Sequence, residues 1–228
     1  MTVLDDSNWS HKAWMSVVDA DLFEGLLLSR VRSGHIDVLE WGSGKSTFYF
    51  AGLLAKLGHS FRWTSLEYDR GYFDSDVVPR LTELPACSVS YVGGERREPV
   101  VTSPGGSGAA RQQVEFIVFD HGKLQPFLPD HPEDRTVNMD GYVDWPVAAG
   151  RKHDMVLVDG RKRRRCLLAA SQLLQEQGVT VIHDAQRPYY ACAYDAYRSH
   201  LAIGEILHIC SHMAESELRH LLTEVQGQ

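Results

Sequence analysis

The chain lacks long apolar runs, paired cysteines, an excess of positive charge and a basic-then-apolar leader, and each absence removes a class of protein. In 228 residues no hydrophobic stretch approaches the ~20 residues that a membrane-crossing helix needs, so no membrane partner is expected. The four cysteines, Cys87, Cys166, Cys192 and Cys210, are far apart and include no C-x-x-C pair. That spacing suggests neither a zinc cluster nor a disulfide framework, and it fits reduced thiols in a cytoplasm. With 23 basic against 30 acidic residues the formal charge is −7, which argues against capture of a nucleic-acid backbone. The opening "MTVLDDSNWSHKAWMS" is acidic and polar, unlike a secretory leader, and a soluble cytoplasmic protein is expected.

What is present is enough apolar material for one large core: 43% of residues are hydrophobic and 10% aromatic, so residues 1–228 read as a single domain. A helix is expected across "AWMSVVDADLFEGLLLSRV", within an N-terminal cap of residues 1–33. The apolar strand "IDVLEW" then runs through "GSGKST" into the helix "FYFAGLLAKLG", which Gly58 stops. The strand "FRWTSLE", a helix around Phe73 to Leu84 and the strand "CSVSYV" continue the alternation. Residues 93–141 break it with two stretches rich in Gly, Pro and charge around the apolar run "VEFIVFD", and are read as an insertion with its own strand, serving as a lid or as the arm of a homodimer. Alternation resumes with "DMVLVDG", the helix "RKRRRCLLAASQLLQEQ" ending at Gly178, the strand "VTVIHD", a helix near "ACAYDAYRSHL" and a last strand around "EILHICSH". Continuous apolar strands between amphipathic helices imply an α/β fold: a doubly wound, mostly parallel sheet covered on both faces, with an insertion between strands three and four. Ligands of such sheets sit at the carboxyl ends of the strands, which places Glu40, Glu67, Asp159 and Asp184 along one rim.

The segment "DVLEWGSGKST" supports two readings. A P-loop needs a glycine five positions before its final Gly-Lys-Ser/Thr; counting back from Gly44 gives Leu39, inside the strand, so an NTPase or kinase is the alternative and not the main expectation. In the other reading Glu40 ends a strand, Gly42 and Gly44 let the backbone turn close to a ligand, and Ser46 and Thr47 open a helix. Glu67 ends the next strand at the distance from which an acid reaches ribose hydroxyls. Thr47 stands where a dinucleotide site has its third glycine. An acid before the turn suits S-adenosylmethionine, which has no phosphate and carries a cationic amino acid moiety.

At this point the chain resembles the class I S-adenosylmethionine-dependent methyltransferases, near their small-molecule O-methyltransferases. "VLEWGSGKST" looks like their first motif, "SLEYD" their second, "DMVLVDG" the motif of the fourth strand, and "LLQEQGVTVIHD" the turn and fifth strand. The resemblance covers roughly residues 36–92 and 142–200. It implies a Rossmann-like fold and S-adenosylmethionine as cofactor, held by Glu40, Gly42, Ser43, Gly44, Ser46 and Thr47, with Glu67 on the ribose and Tyr68 beside it. Asp140, in "NMDGYV", is the candidate for the adenine amino group, and Asp120 competes with it.

Methyl transfer asks the protein to align acceptor and methyl, exclude water and remove a proton. Asp159, His183 and Asp184 lie on the right rim. Metal-dependent relatives of this family hold magnesium with acids after strands four and five, which Asp159 and Asp184 partly match; His183 departs from that scheme, since magnesium prefers oxygen ligands. His183 as general base, or as a histidine merely bonded to a nearby loop, are the other readings. Arg161 and Arg165, spaced as one helical turn, together with Arg187 and Tyr189 of "RPYY", are candidates for an anionic small-molecule substrate. Trp9, His11 and Trp14 are read either as a lid or as ordinary helix packing. A cofactor-binding protein that does not methylate is the remaining alternative.

Overall fold

The expected alternation builds one eight-stranded sheet in the computed structural model, which describes residues 9–10, 13–31, 34–93, 111–121 and 137–227. The strands are β1 (His35–Trp41), β2 (Ser60–Glu67), β3 (Ala86–Val92), β4 (Gln112–Phe119), β5 (His153–Val158), β6 (Leu174–Ile182), β7 (Ser199–Ile203) and β8 (Leu207–Ser211). Their spatial order is β3-β4-β2-β1-β5-β6-β8-β7. All pairings are parallel except those of β8 with β6 and β7. The principal helices are α1 (Val17–Ser29), α2 (Lys45–Lys56), α3 (Arg70–Tyr72), α4 (Asp140–Ala149), α5 (Arg163–Ser171), α6 (Ala191–Tyr194) and α7 (Glu215–Gln226).

The pleat of β1 divides the core in two. Ile36 and Val38 join Phe23 of α1, Phe50 of α2 and Leu218 of α7 on one face, while Leu39 and Trp41 join Tyr142 of α4 and Leu167 of α5 on the other. Glu40 shares the face of Ile36 and Val38, a placement that decides its role below. Gly58, in the left-handed conformation at φ +76, follows the end of α2 as expected.

Several expectations need correction. The apolar run inside the insertion is β4, an integral strand between β2 and β3, and it leaves β3 as the sheet edge. Most of the rest of the insertion lies outside the described residues. The segment from Phe73 to Glu83 is helical but changes from π to 3-10 geometry at Val78. Helix α5 stops at Ser171, and Gly178 belongs to β6. A side chain at Gly178 would meet the His153 carbonyl oxygen at 2.8 Å, beside a β-bulge between β5 and β6, so the glycine serves close strand approach and not a helix stop. The helix expected over residues 191–201 is only α6; Ser199–Ile203 is a strand. Its hairpin turns at Gly204 (φ +58), where buried Asp19 accepts the Glu205 and Ile206 N–H groups at 2.7 and 3.3 Å. Helix α7, with Leu218, Leu221, Leu222 and Val225 on one face, was not expected although it shows helical spacing. Among the described residues no helix is long and apolar enough to cross a membrane, and the four cysteines are free thiols.

Candidate active site

Four strand ends meet at one rim because the ladders run one residue past the strands. Gly42 N–H donates to Leu66 O at 2.8 Å, Asp159 N–H to Trp41 O at 2.9 Å, and His183 N–H to Val158 O at 3.2 Å. At the middle of this rim two backbones touch. Gly42 is at φ +100, and a side chain there would stand 2.8 Å from Gly160 N and 2.9 Å from Gly160 Cα. A methyl group on Gly160 would in turn collide with the Tyr142 hydroxyl. Only glycine at both positions lets β1 and β5 end this close together.

On the β1–β2 side the groups are neutral donors around carboxyls. Glu40, fully buried, accepts hydrogen bonds from Ser46 Oγ (2.5 Å), Thr47 Oγ1 (2.5 Å), Trp63 Nε1 (2.8 Å) and Ser65 Oγ (2.9 Å). Burial pushes its pKa up to about 7 against the pull of those four donors. Its carboxylate is therefore turned beneath α2, as strand alternation requires, and not into the opening of the turn where the resemblance placed it. Ser46 and Thr47 are occupied by it; Thr47 Oγ1 also accepts the Gly44 N–H at 3.1 Å. Ser43 donates its N–H to Glu67 Oε2 at 3.1 Å and shares a hydroxyl hydrogen bond with Ser65 at 2.8 Å. Glu67 Oε1 accepts from Tyr68 N and Asp69 N, both at 2.9 Å, yet burial outweighs these bonds and raises its pKa to about 8. Gly44 lies under the Tyr72 hydroxyl, 3.0 Å from where a Cβ would be.

Beyond Glu67 the rim is aromatic. Tyr68 and Phe119 both meet Tyr142 edge-on, with centroids 6.0 and 5.7 Å away. The Tyr142 hydroxyl is buried beside the Gly160–Arg161 main chain, and burial holds its pKa well above the usual phenol value. Tyr142 was not singled out in the sequence. The adenine candidates fare differently: Asp140, exposed at the start of α4, bonds Arg165 Nη1 at 2.5 Å on the outer surface, and Asp120 is exposed beside Arg70.

The β5–β6 side is ionic. His183 Nδ1 is 2.9 Å from Asp159 Oδ1. A carboxylate only accepts, so Nδ1 carries the hydrogen and Nε2 is left as the acceptor in the neutral ring. Nε2 is buried without a partner among the described residues. Burial works against the charged imidazole, but Asp159 and Asp184 outweigh it and the His183 pKa is raised. Burial likewise opposes ionisation of Asp159, and His183 and Arg163 reverse that to a lowered pKa.

Arg163, the first residue of α5, looks like its neighbours in the run "RKRRRC" but is set apart by its contacts. Its guanidinium reaches Asp159 Oδ1 at 3.0 Å and Asp184 Oδ2 at 2.8 Å. It also donates to the carbonyls of Asp159 (3.0 Å), Gly160 (3.0 Å) and His183 (2.6 Å). Lys162 and Asp184 take left-handed φ of +55 and +57 on either side of it, a conformation that costs non-glycine residues and persists where surroundings enforce it. Helix α5 begins too late for Arg161 to share a helical face with Arg165. Arg161 instead lies against Tyr68, its Nε 3.3 Å from the phenol oxygen, while Arg165 pairs with Asp140 and Asp144 away from the rim. Arg187 stays near the rim, 3.4 Å from both Asp184 Oδ2 and the Tyr189 hydroxyl.

Two sequence alternatives are also located. Lys45 Nζ sits 4.4 Å above the ring of Trp14, which is 60% exposed. Trp9 adds a backbone pairing with Ser16, and His11 lies outside the described residues.

No family model matches the chain, and no curated protein matches it. Solved structures do. A methyltransferase-like protein from Silicibacter pomeroyi DSS-3 is 22% identical and superposes with a TM-score of 0.53 over 92% of this chain and 95% of its own. Human methyltransferase-like protein 13, solved in complex with SAH, is 11% identical with a TM-score of 0.50 over 91% of this chain and 90% of its own. The chain has a methyltransferase-like fold. That fold agrees with the doubly wound architecture expected from the sequence and does not favour a P-loop enzyme.

Proposed function

We propose that the protein transfers the methyl group of S-adenosylmethionine to a small, oxygen-bearing and anionic acceptor. One observation carries the reading: buried His183, paired with Asp159 and with no partner for its Nε2 among the described residues, stands on the same rim as the Gly42–Gly44 turn and Glu67. The donor set suits the cofactor. The turn from Gly42 to Gly44, with Gly42 in the left-handed conformation, faces the methionine part, Glu67 is the acid for its ribose, and Tyr68, Phe119 and Tyr142 offer an aromatic wall for adenine. Glu40, Ser46 and Thr47 act through the turn that they brace.

S-adenosylmethionine supplies an electrophilic methyl on a sulfonium. This chain's residues do the rest. His183 Nε2 takes the proton from the acceptor hydroxyl as its oxygen forms the new bond to the methyl carbon, and the carbon–sulfur bond breaks with its electron pair going to sulfur. Asp159 holds the ring in the required tautomer and stabilises the imidazolium that results. Arg187 and Arg161 give the mouth a positive edge that suits an anionic acceptor.

Calorimetry tests the cofactor first: S-adenosylmethionine and S-adenosylhomocysteine bind, and Glu67→Ala abolishes the binding. Heat-neutral injections of both into the native chain would refute the reading. Binding without turnover across a panel of hydroxylated acids would instead indicate a cofactor-binding protein that does not methylate.

A further inference from the structure

We propose that Arg163 is a built-in cation that takes the place of a divalent metal between Asp159 and Asp184 and positions His183 with Nε2 presented to the acceptor. The acceptor in that statement rests on the reading above; the placement of the cation does not. Two rim carboxylates after consecutive parallel strands are the arrangement that a magnesium site would use, and here a guanidinium already spans them, at 3.0 Å to Asp159 and 2.8 Å to Asp184. A metal would have to displace a side chain that is only 14% exposed and that satisfies three main-chain carbonyls as well. Those carbonyls, of which that of His183 belongs to a buried residue, would then lose the donor that Arg163 supplies. Among the described residues no three His, Cys, Asp or Glu side chains converge to complete a metal site.

The same contacts position the base. Arg163 and His183 share Asp159 Oδ1, and Arg163 also bonds the His183 carbonyl, so ring and main chain of His183 are fixed from two directions by one fork. Asp184 is clamped from the other arm in its left-handed conformation. The fork ties the end of β5 to the end of β6, which is the positioning that a metal bridging the two acids would otherwise give.

The test follows the His183 ring signals of the full chain by NMR as Mn²⁺ is added. The native protein and Arg163→Lys, which keeps a cation in place, hold those signals sharp; Arg163→Ala, with both acids uncovered, loses them to paramagnetic broadening. Broadening of His183 in the native chain overturns the proposal, and so does Arg163→Ala remaining folded and unbroadened. If Arg163→Ala does not fold, the native chain and Arg163→Lys decide: broadening in either one overturns the proposal, and sharp signals in both uphold it. Turnover adds a second readout, unaffected by EDTA in the native chain and partly restored in Arg163→Lys relative to Arg163→Ala. Failure to bind S-adenosylmethionine would remove the methyl-transfer reading and leave the Mn²⁺ result standing.

Discussion

The two halves of the rim solve the same problem, a carboxyl at the end of a buried strand, in opposite ways. On the β1–β2 side Glu40 and Glu67 are surrounded by hydroxyls, an indole and main-chain N–H groups, and their pKa values rise to about 7 and 8. On the β5–β6 side Asp159 meets Arg163 and His183 and its pKa falls. Burial disfavours the charged carboxyl in both, so the sign is set by whether a formal cation is within contact distance. The neutral half suits a ligand read by hydrogen bonds, and the ionic half suits proton transfer beside a charged acceptor.

The seam between the halves is where the comparison breaks most easily. Gly160→Ala should cost more than about 3 kcal/mol, at or beyond the top of the range for overpacking, because the new methyl strikes both the Tyr142 hydroxyl and the Gly42 backbone. Urea denaturation measures it, and adding Tyr142→Phe should restore part of the loss. A Gly160→Ala chain as stable as the native one would mean that the halves are not in contact. Glu40→Ala comes next, at about 2 kcal/mol, since it leaves the buried Trp63 N–H and three hydroxyls without their acceptor. It should also weaken S-adenosylmethionine, although four protein donors already occupy the Glu40 carboxyl; unchanged affinity would show that the turn keeps its shape without that brace.

Acid and base should load the two halves in opposite directions. Glu40 and Glu67 have folded pKa values above the unfolded 4.5, so their contribution is fully present below pH 4.5 and is lost as pH rises through about 7 and 8. His183, also raised, adds to that loss above 6.5. Asp159, lowered from 3.8, contributes above that value and loses its contribution as pH falls through its folded pKa. Thermal melts from pH 3 to 9 check this: Glu67→Gln should flatten the neutral-to-alkaline slope, and Asp159→Asn the acid one. Exchange of those two effects would reverse the assignment of the halves.

The rim itself could be read from the chain because continuous apolar strands leading to Glu40, Glu67, Asp159 and Asp184 need only local pattern. The side chains' directions could not. Glu40 was expected at the ligand because it precedes two glycines, yet its parity with Ile36 and Val38 sends it under α2. Arg161 and Arg165 were paired by helical spacing, but α5 begins at Arg163, and that start is set by the left-handed Lys162, which no local signal marks. Within "RKRRRC" five cations look alike; only the tertiary meeting of β5 and β6 makes Arg163 different. The run over residues 112–119 had strand composition, but its place inside the sheet depends on pairing with β2, a partner some fifty residues away in the pairing of Trp63 with Val114.

The smallest expected effect bears on the most conspicuous residue. Lys45 is a cation at the door of the neutral half, and if it entered that half the contrast with the ionic side would fail. Its ammonium lies over the face of Trp14 at 4.4 Å, on a ring that is 60% exposed, where a cation–π contact contributes about 0.5 kcal/mol. Lys45→Ala should therefore lower stability by about that amount and leave S-adenosylmethionine affinity unchanged, because the turn's hydrogen bonds run through Ser43, Gly44, Ser46 and Thr47 and none uses the lysine. In a phosphate-binding loop the same change would abolish nucleotide binding, as the lysine would be the phosphate's counter-charge. Thermal shifts of the native and Lys45→Ala chains with S-adenosylhomocysteine and with ATP–Mg²⁺ separate the cases. Stabilisation by ATP that disappears with the lysine would put a working cation in the neutral half and reverse the reading of the turn.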